Sequence, residues 1–247
     1  MGVSIITPSF NNPRYVLDTL RSVIGQSYQD WTLFLLDNST DEHTRPILRD
    51  FLKSSGEQRI KYLEVNFTDS FRENIHISSS LCNAAFLLAD QEYLLFLAHD
   101  DLLDQYCLES MATYLTERSD ISACYCRGQR VGKDNAGNWQ KIAEFPFGLI
   151  YGEKNKPDCQ IDGGQVLFRK SLVEQMIIAQ ETINLCLIPK IQGASHHTDG
   201  IFLNKLTRYT DIPPCPYHAD AFLLTHRCID LAHNDLPQKH KRFGINL

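Results

Sequence analysis

Three stretches of the sequence set ionisable side chains where they could do chemistry. Ala98-His99-Asp100-Asp101 follows the apolar run Tyr93-Leu94-Leu95-Phe96-Leu97, so two adjacent carboxylates stand at the mouth of a core strand. Acids so placed can hold a divalent cation against a phosphate-bearing ligand. Asp37 and Asn38 close a second apolar run, Trp31 to Leu36. There a carboxylate and an amide could read a polar ligand. Asp199, in Thr198-Asp199-Gly200, opens the amphipathic run Ile201 to Leu206. It suits a helix N-cap, a position that fixes the carboxylate's direction. Arg72, His218 and His226 are further ionisable side chains in polar or extended segments, and His196-His197 lies beside Asp199.

The elements needed to position these groups can be read from periodicity. Val3 to Thr7 reads as a first strand stopping at Pro8, and Pro13 suits the first position of a helix whose apolar residues recur to Ile24. Trp31 to Leu36 is a second strand, and a helix carrying Ile47, Leu48, Phe51 and Leu52 follows it. Ile60 to Val65 alternates as a third strand. Asn66 to Ile77 reads as irregular, Ser78 to Ala89 as a helix, and Tyr93 to Leu97 as the fourth strand. Alternating strands and helices with long connections predict a parallel α/β sheet, whose ligand crevice lies beyond the strands' carboxyl ends. Asp37 and the Asp100-Asp101 pair are therefore expected along one edge. Further on, the sequence predicts a helix to Glu117 and a strand over Ile121 to Gln129. A long loop with one hairpin is expected from Gly132 to Asp158, and a strand over Gln165 to Phe168 after the flexible pair Gly163-Gly164. A helix over Ser171 to Ala179 follows, and the last ordered element contains His226.

Bulk properties narrow the class. The chain has 247 residues, 43% hydrophobic and 22% charged, with a net charge of -6. A general nucleic-acid surface is not expected from that charge. No apolar run reaches the roughly 18 residues of a membrane span, which leaves peripheral membrane contact open. The N-terminus has no charged leader, and Ile6 stands where myristoylation needs Ser or Thr. The eight cysteines are scattered without a Cys-x-x-Cys, as expected of small buried hydrophobes in a cytoplasmic protein. The first strand is followed by Pro8-Ser9-Phe10-Asn11-Asn12, with no glycine-rich turn and no Gly-x-x-x-x-Gly-Lys, which argues against dinucleotide oxidoreductases and P-loop enzymes. A nucleotidyltransferase would show a basic, glycine-rich loop there.

Taken in order, several segments resemble the signature of family 2 glycosyltransferases. These are Val3 to Asn11, Ser22-Val23-Ile24-Gly25-Gln26-Ser27-Tyr28, Leu36 to Asp41, Asn83 to Asp101, Ile161-Asp162-Gly163-Gly164 to Arg169, and Thr198 to Leu206. The compact plan is similar to that of a bacterial spore-coat polysaccharide transferase. The resemblance implies a GT-A fold, with a mostly parallel nucleotide-binding sheet flanked by helices and a smaller acceptor-side sheet. One domain over 1–230 is expected, divided into a nucleotide-sugar half (1–103) and an acceptor half (104–230), with a basic tail over 231–247. The resemblance also implies a nucleotide-sugar donor with UDP favoured, a hydroxyl-bearing acceptor such as a saccharide, Mn2+ or Mg2+, and inversion at the anomeric carbon. Carried over residue by residue, Pro8 and Ser9 match the loop around base and ribose, Asp37 or Asn38 the base reader, and Arg72 a donor contact. Asp100 matches the metal ligand, with His99 beside it and Asp101 and His226 as supporting ligands. Asp199 matches the catalytic base.

Three departures stand out. Ala98 replaces the first acid of Asp-x-Asp, the turn after Asp37 is one residue short, and Cys82 replaces a common arginine. They motivate an alternative expectation, a non-catalytic module that binds a nucleotide sugar or a partner protein.

Overall fold

The structure, a computed structural model, describes residues 1–158, 160–179 and 198–228. Its first half is four strands with helices between them. Strand β1 (Val3–Ser9) is buried along its whole length, as a central parallel strand covered on both faces must be. It runs through Pro8 instead of stopping at Thr7. Leu97 N donates to Ile6 O at 3.0 Å, so the even positions of β1 point toward the neighbouring strand, with which pairing ends at Ile6. The missing N–H of Pro8 therefore costs no ladder bond.

Helix α1 (Pro13–Ile24) starts on the expected proline and buries Val16, Thr19, Leu20 and Val23. Then come β2 (Trp31–Asp37), α2 (Thr44–Ser55) and β3 (Ile60–Glu64). The segment expected to be irregular contains a short helix, α3 (Asp69–Asn74), whose N-cap Thr68 accepts a hydrogen bond from Phe71 N. Helix α4 (Ile77–Leu88) is capped by the His76 side chain, and β4 (Tyr93–Phe96) follows. A six-residue helix with one apolar residue, Phe71, is too short to show a period, which is why the sequence hid α3.

The second half adds β5 (Leu102–Leu103), α5 (Cys107–Glu117), β6 (Ala123–Tyr125), β7 (Gly128–Lys133) and β8 (Trp139–Glu144). A 3-10 turn (Gly163–Gln165), β9 (Val166–Arg169), α6 (Lys170–Ile178), α7 (Thr198–Leu206) and β10 (Leu224–Arg227) complete it. The single strand expected over Ile121 to Gln129 is two strands, β6 and β7, in different sheets. Gly163 and Gly164 are buried inside a capping box made by Asp162 and Gln165, so they are held in place where flexibility was expected.

The large sheet has the order β3-β2-β1-β4-β9-β6, and the first four strands are parallel. Strand β9 is antiparallel to both β4 and β6. The smaller sheet has the order β5-β10-β7-β8. Alternate residues of the large sheet feed two cores. Ile5, Leu33 and Leu95 pack with α1, α2 and α5, while Ile6, Leu94 and Phe168 pack with α4, α6 and α7.

One exposed edge of this framework is tied electrostatically. Arg59 stacks 3.8 Å over the Trp31 ring, donates to Gln29 O at 2.9 Å, and pairs with Glu57 at 2.6 Å. The Arg59 hydrogen bond pulls the Glu57 carboxyl from 4.5 to about 2, against a smaller opposing effect of burial. Because the folded value is depressed, the pair's contribution is full above 4.5 and fades as pH falls toward 2. Glu57→Gln is expected to cost about 1 kcal/mol at neutral pH. Urea titrations should show the gap from wild type closing as pH drops below 4.5.

Candidate functional site

The turn after β4 is gripped from two sides. Asp101 N donates to Ala98 O at 3.2 Å, closing the turn. From α1, the buried Thr19 hydroxyl lies 2.7 Å from Asp101 O and 2.9 Å from His99 O. From β10, Arg227 is only 3% exposed and spreads its guanidinium over three partners. These are Asp18 Oδ2 at 3.0 Å, Tyr15 O at 2.9 Å, and Asp100 O through Nε. Its backbone N also lies 3.3 Å from Asp101 Oδ1. A buried cation of this kind persists only when its donors are matched. Here they join α1, β10 and the acidic turn.

That join creates the cluster. Strand β5 begins directly after Asp101, and β10 runs antiparallel to it with Thr225 opposite Leu102. The register brings His226 beside Asp101. His226 Nδ1 lies 3.0 Å from Asp101 Oδ1 and 3.4 Å from Asp162 Oδ2. Asp162 arrives by a different route, as the cap of the 3-10 turn, with Oδ1 accepting from Gly164 N at 2.8 Å. Burial and the neighbouring Asp101 charge push the Asp162 carboxyl up. Burial opposes the charged form of His226, but Asp101 more than offsets it, and the imidazole is raised well above its usual range.

Ligand atoms of Asp101, Asp162 and His226 all lie within 4.8 Å of one another. Asp101 is fully buried, yet its Oδ2 has no hydrogen-bond partner among the described residues. A buried carboxylate oxygen left unpaired costs about 1–3 kcal/mol or more, and a cation would satisfy it. Two carboxylates and an imidazole offer oxygen and nitrogen donors suited to Mn2+, and less so to Mg2+. The donor set thus fits a divalent metal. It contains the expected Asp101 and His226, adds Asp162, and does not include the Asp100 carboxylate.

Asp37, at the end of β2, is also fully buried. Its Oδ1 accepts from Ser39 N at 3.1 Å and Ser39 Oγ at 2.5 Å, and its Oδ2 accepts from Tyr62 OH at 3.1 Å. Arg45 Nε stands 3.4 Å from Oδ2. Those contacts occupy the carboxylate and use it to brace the loop. Asn38 donates from Nδ2 to Ser9 O at 3.0 Å. Arg72 Nη1 and Nη2 donate to Asn38 Oδ1 and O, both at 2.8 Å. Asn11, with φ 46°, laces the β1 loop to the β2 loop through Ser39 Oγ, Thr40 N and Asp41 N. Ser9 Oγ is buried beside Pro8 without a partner among the described residues. Pro8, Ser9, Asp37, Asn38 and Arg72 are therefore one assembly at the carboxyl edge of β1 and β2.

Asp199 lies in the first turn of α7, and its side chain is outside the described set, as are His196, His197 and residues 229–247. A Cβ on Gly200 would collide with the Asp158 carboxylate, so glycine lets that loop reach the helix. His218 stacks on Tyr106 with centroids 4.9 Å apart, away from the acidic turn's hydrogen-bond network. Sequence reading missed Asp162 as a ligand and missed Thr19, Arg45, Tyr62 and Arg227 altogether. An Asp before Gly-Gly, and a His-Arg pair in the last strand, were the only signals available.

A model of glycosyl transferase family 2 matches residues 4–177. The chain belongs to that family. This family 2 chain is 26% identical over 242 residues to protein CgeD of Bacillus subtilis, covering 95% of itself and 53% of that protein. It is 32% identical over 154 residues to the putative teichuronic acid biosynthesis glycosyltransferase TuaG of the same organism, covering 62% of itself and 57% of TuaG. It thus spans about half the length of the curated relatives it matches. Staphylococcus aureus TarS 1–349 in complex with UDP-GlcNAc superposes with a TM-score of 0.65 at 15% identity, over 92% of this chain and 58% of that one. Mannosyltransferase PcManGT from Pyrobaculum calidifontis, in complex with GDP-Man and Mn2+, superposes with a TM-score of 0.59 at 14% identity, over 91% and 56%. The architecture of this family 2 chain is the GT-A fold.

The two grips on the turn can be tested separately from the cluster. Arg227→Met should lower stability by about 2–3 kcal/mol, because it strips several buried acceptors of their donor. Calorimetric titration with Mn2+ should weaken at least tenfold in Asp162→Asn and in His226→Ala. Asp100→Ala is expected to change it less than either.

Proposed function

We propose that this family 2 chain moves a hexosyl group from a nucleoside-diphosphate sugar, UDP favoured, to an acceptor hydroxyl, with inversion and with a divalent metal. The observation that carries this reading is the buried, unpaired Asp101 Oδ2, set among Asp162 and His226 at the carboxyl edge of the sheet. The base and ribose would sit against Pro8, Ser9 and Asn38, with Asp37 and Arg72 holding that loop in shape. Arg72, already stacked near Phe10 and Phe67, would also face the donor. His99 and Asp100 lie in the same turn and would meet the diphosphate.

The chemistry follows from where charge develops. The leaving diphosphate gains negative charge, and a bound Mn2+ or Mg2+ would neutralise part of it. Asp199, in the first turn of α7, would take the proton from the attacking hydroxyl, and a single displacement inverts the anomeric centre. The sugar passes through an oxocarbenium-like state, as in glycoside hydrolysis. The setting is cell-surface polysaccharide synthesis, supported by the relatives' names. Besides TuaG these include the Staphylococcus aureus poly(ribitol-phosphate) beta-N-acetylglucosaminyltransferase TarP, 29% identical over 119 residues. We place the reaction in the cytoplasm. The six described cysteines are all free, which suits a reducing compartment, and no described helix is long and apolar enough to cross a membrane.

Ala98 and the occupied Asp37 carboxylate favour one second reading, a module that binds a nucleotide sugar without transferring it. Release of UDP from UDP-sugars in the presence of Mn2+ separates the two. The transferase reading expects metal-dependent release that falls at least a hundredfold in Asp199→Asn, while UDP still raises the melting temperature of that variant. Binding with no release from any donor, wild type and variant behaving alike, would establish the binding module instead.

A further inference from the structure

A cavity of about 60 Å³ opens between α4, the end of β4, the 3-10 turn and α7. Four rings, Phe86, Phe96, Phe168 and Phe202, make its walls mostly apolar. Its polar lining is uneven. Ser78 Oγ and Ser79 Oγ are engaged with His76 Nδ1 at 3.1 and 2.9 Å. Asn83 is only 7% exposed, and its Nδ2 has no partner among the described residues. A buried amide donor left unpaired is costly, and such sites in native proteins call for an explanation.

Cavity size and lining together restrict what fits. A cavity of about 150 Å³ accepts the six carbons of benzene, which scales to two or three heavy atoms for this one. Phenyl walls favour a methyl group, and the spare amide N–H requires an acceptor oxygen. An acetyl group has three heavy atoms, one of them a methyl carbon and one a carbonyl oxygen. A hydroxyl would leave the rings uncovered.

The cavity's position says which part of a substrate would carry that group. Gly163 follows Asp162 of the acidic cluster, and Phe96 ends the strand that leads into the His99–Asp101 turn. Phe202 and Leu203 stand on α7, the helix whose first turn contains Asp199. A pocket flanked both by the diphosphate end of the site and by the base helix borders the anomeric carbon. The ring carbon next to the anomeric carbon is C2. We propose that this cavity receives the acetyl group of a 2-acetamido sugar donor, with Asn83 donating to its carbonyl and the phenyl rings enclosing its methyl. The proposal rests on the transferase reading and sharpens it to a donor class.

Calorimetry with UDP-GlcNAc, UDP-Glc and UDP, each with Mn2+, tests it without needing the acceptor. The acetamido donor should bind at least tenfold more tightly than the hydroxyl donor, the scale expected for filling an apolar pocket and pairing one amide. Cys82 also lines the cavity, and Cys82→Leu should fill it and bring that ratio close to one. Asn83→Asp, which keeps the size but removes the N–H donor, should do the same by a different route. A wild-type ratio near or below one would overturn the pocket assignment and leave the transferase reading standing. So would a high ratio that both variants retain. Failure of UDP and both sugars to bind would overturn the two together.

Discussion

Strand β10 pairs antiparallel with β5, a strand of only two residues that begins immediately after Asp101. Everything at the acidic turn depends on that short ladder. It fixes His226 at 3.0 Å from Asp101 and places the Arg227 guanidinium where it can reach Asp18, Tyr15 and Asp100 at once. Two backbone pairs would be a weak hold by themselves, since isolated two-stranded pairings are marginal in water. The Arg227 fork and the parallel pairing of β10 with β7 supply the rest. A segment near the end of the described chain is thereby joined to the turn after β4 and to α1.

The same region shows how polar groups divide between structure and chemistry. Asp37 has both oxygens occupied by Ser39, Tyr62 and the nearby Arg45, and its role follows from that: it braces the loop that Asn38 and Ser9 present. Asp101 is equally buried, but among the described residues only Oδ1 is answered. Burying a polar atom without a partner is unfavourable, and a fold tolerates it where something else supplies the partner. Ser9 Oγ and Asn83 Nδ2 belong to the same class of unanswered groups. Ser9, Asp101 and Asn83 stand at β1, at the turn after β4 and on α4, three elements of the first half of the fold.

Much of this was legible in the sequence. Strands β1, β2 and β4 came from apolar runs and β3 from alternation, the helices from their 3.6 period, and α1 began at the proline that marked it. The misses have physical causes. The run from Ala123 to Lys133 crosses from one sheet to the other at Cys126-Arg127, where the only local sign is the change from Ala123-Cys124-Tyr125-Cys126 to Arg127-Gly128-Gln129-Arg130. Helix α3 is too short to show a period, and it presents Arg72 to Asn38 because β3, paired with β2 as far as Asp37–Glu64, starts its loop beside the end of β2. Gly163 and Gly164 suggested freedom, but Asp162 and Gln165 close a capping box around them.

The order of segments along the chain determined the family and the fold, because strand, turn acid and helix recur at spacings that a GT-A sheet requires. It also selected Asp37, Asn38, Arg72, Asp101 and His226 as residues worth placing. Only the tertiary structure decided their partners. It tied the Asp37 carboxylate to Ser39 and Tyr62, and it set Asp162 beside Asp101 and His226. It also revealed Arg227 and Thr19 as the grips on the turn. The reason is range. A sequence records local period and residue type, whereas a metal-sized gap between three side chains is set by the register of strands that lie far apart along the chain.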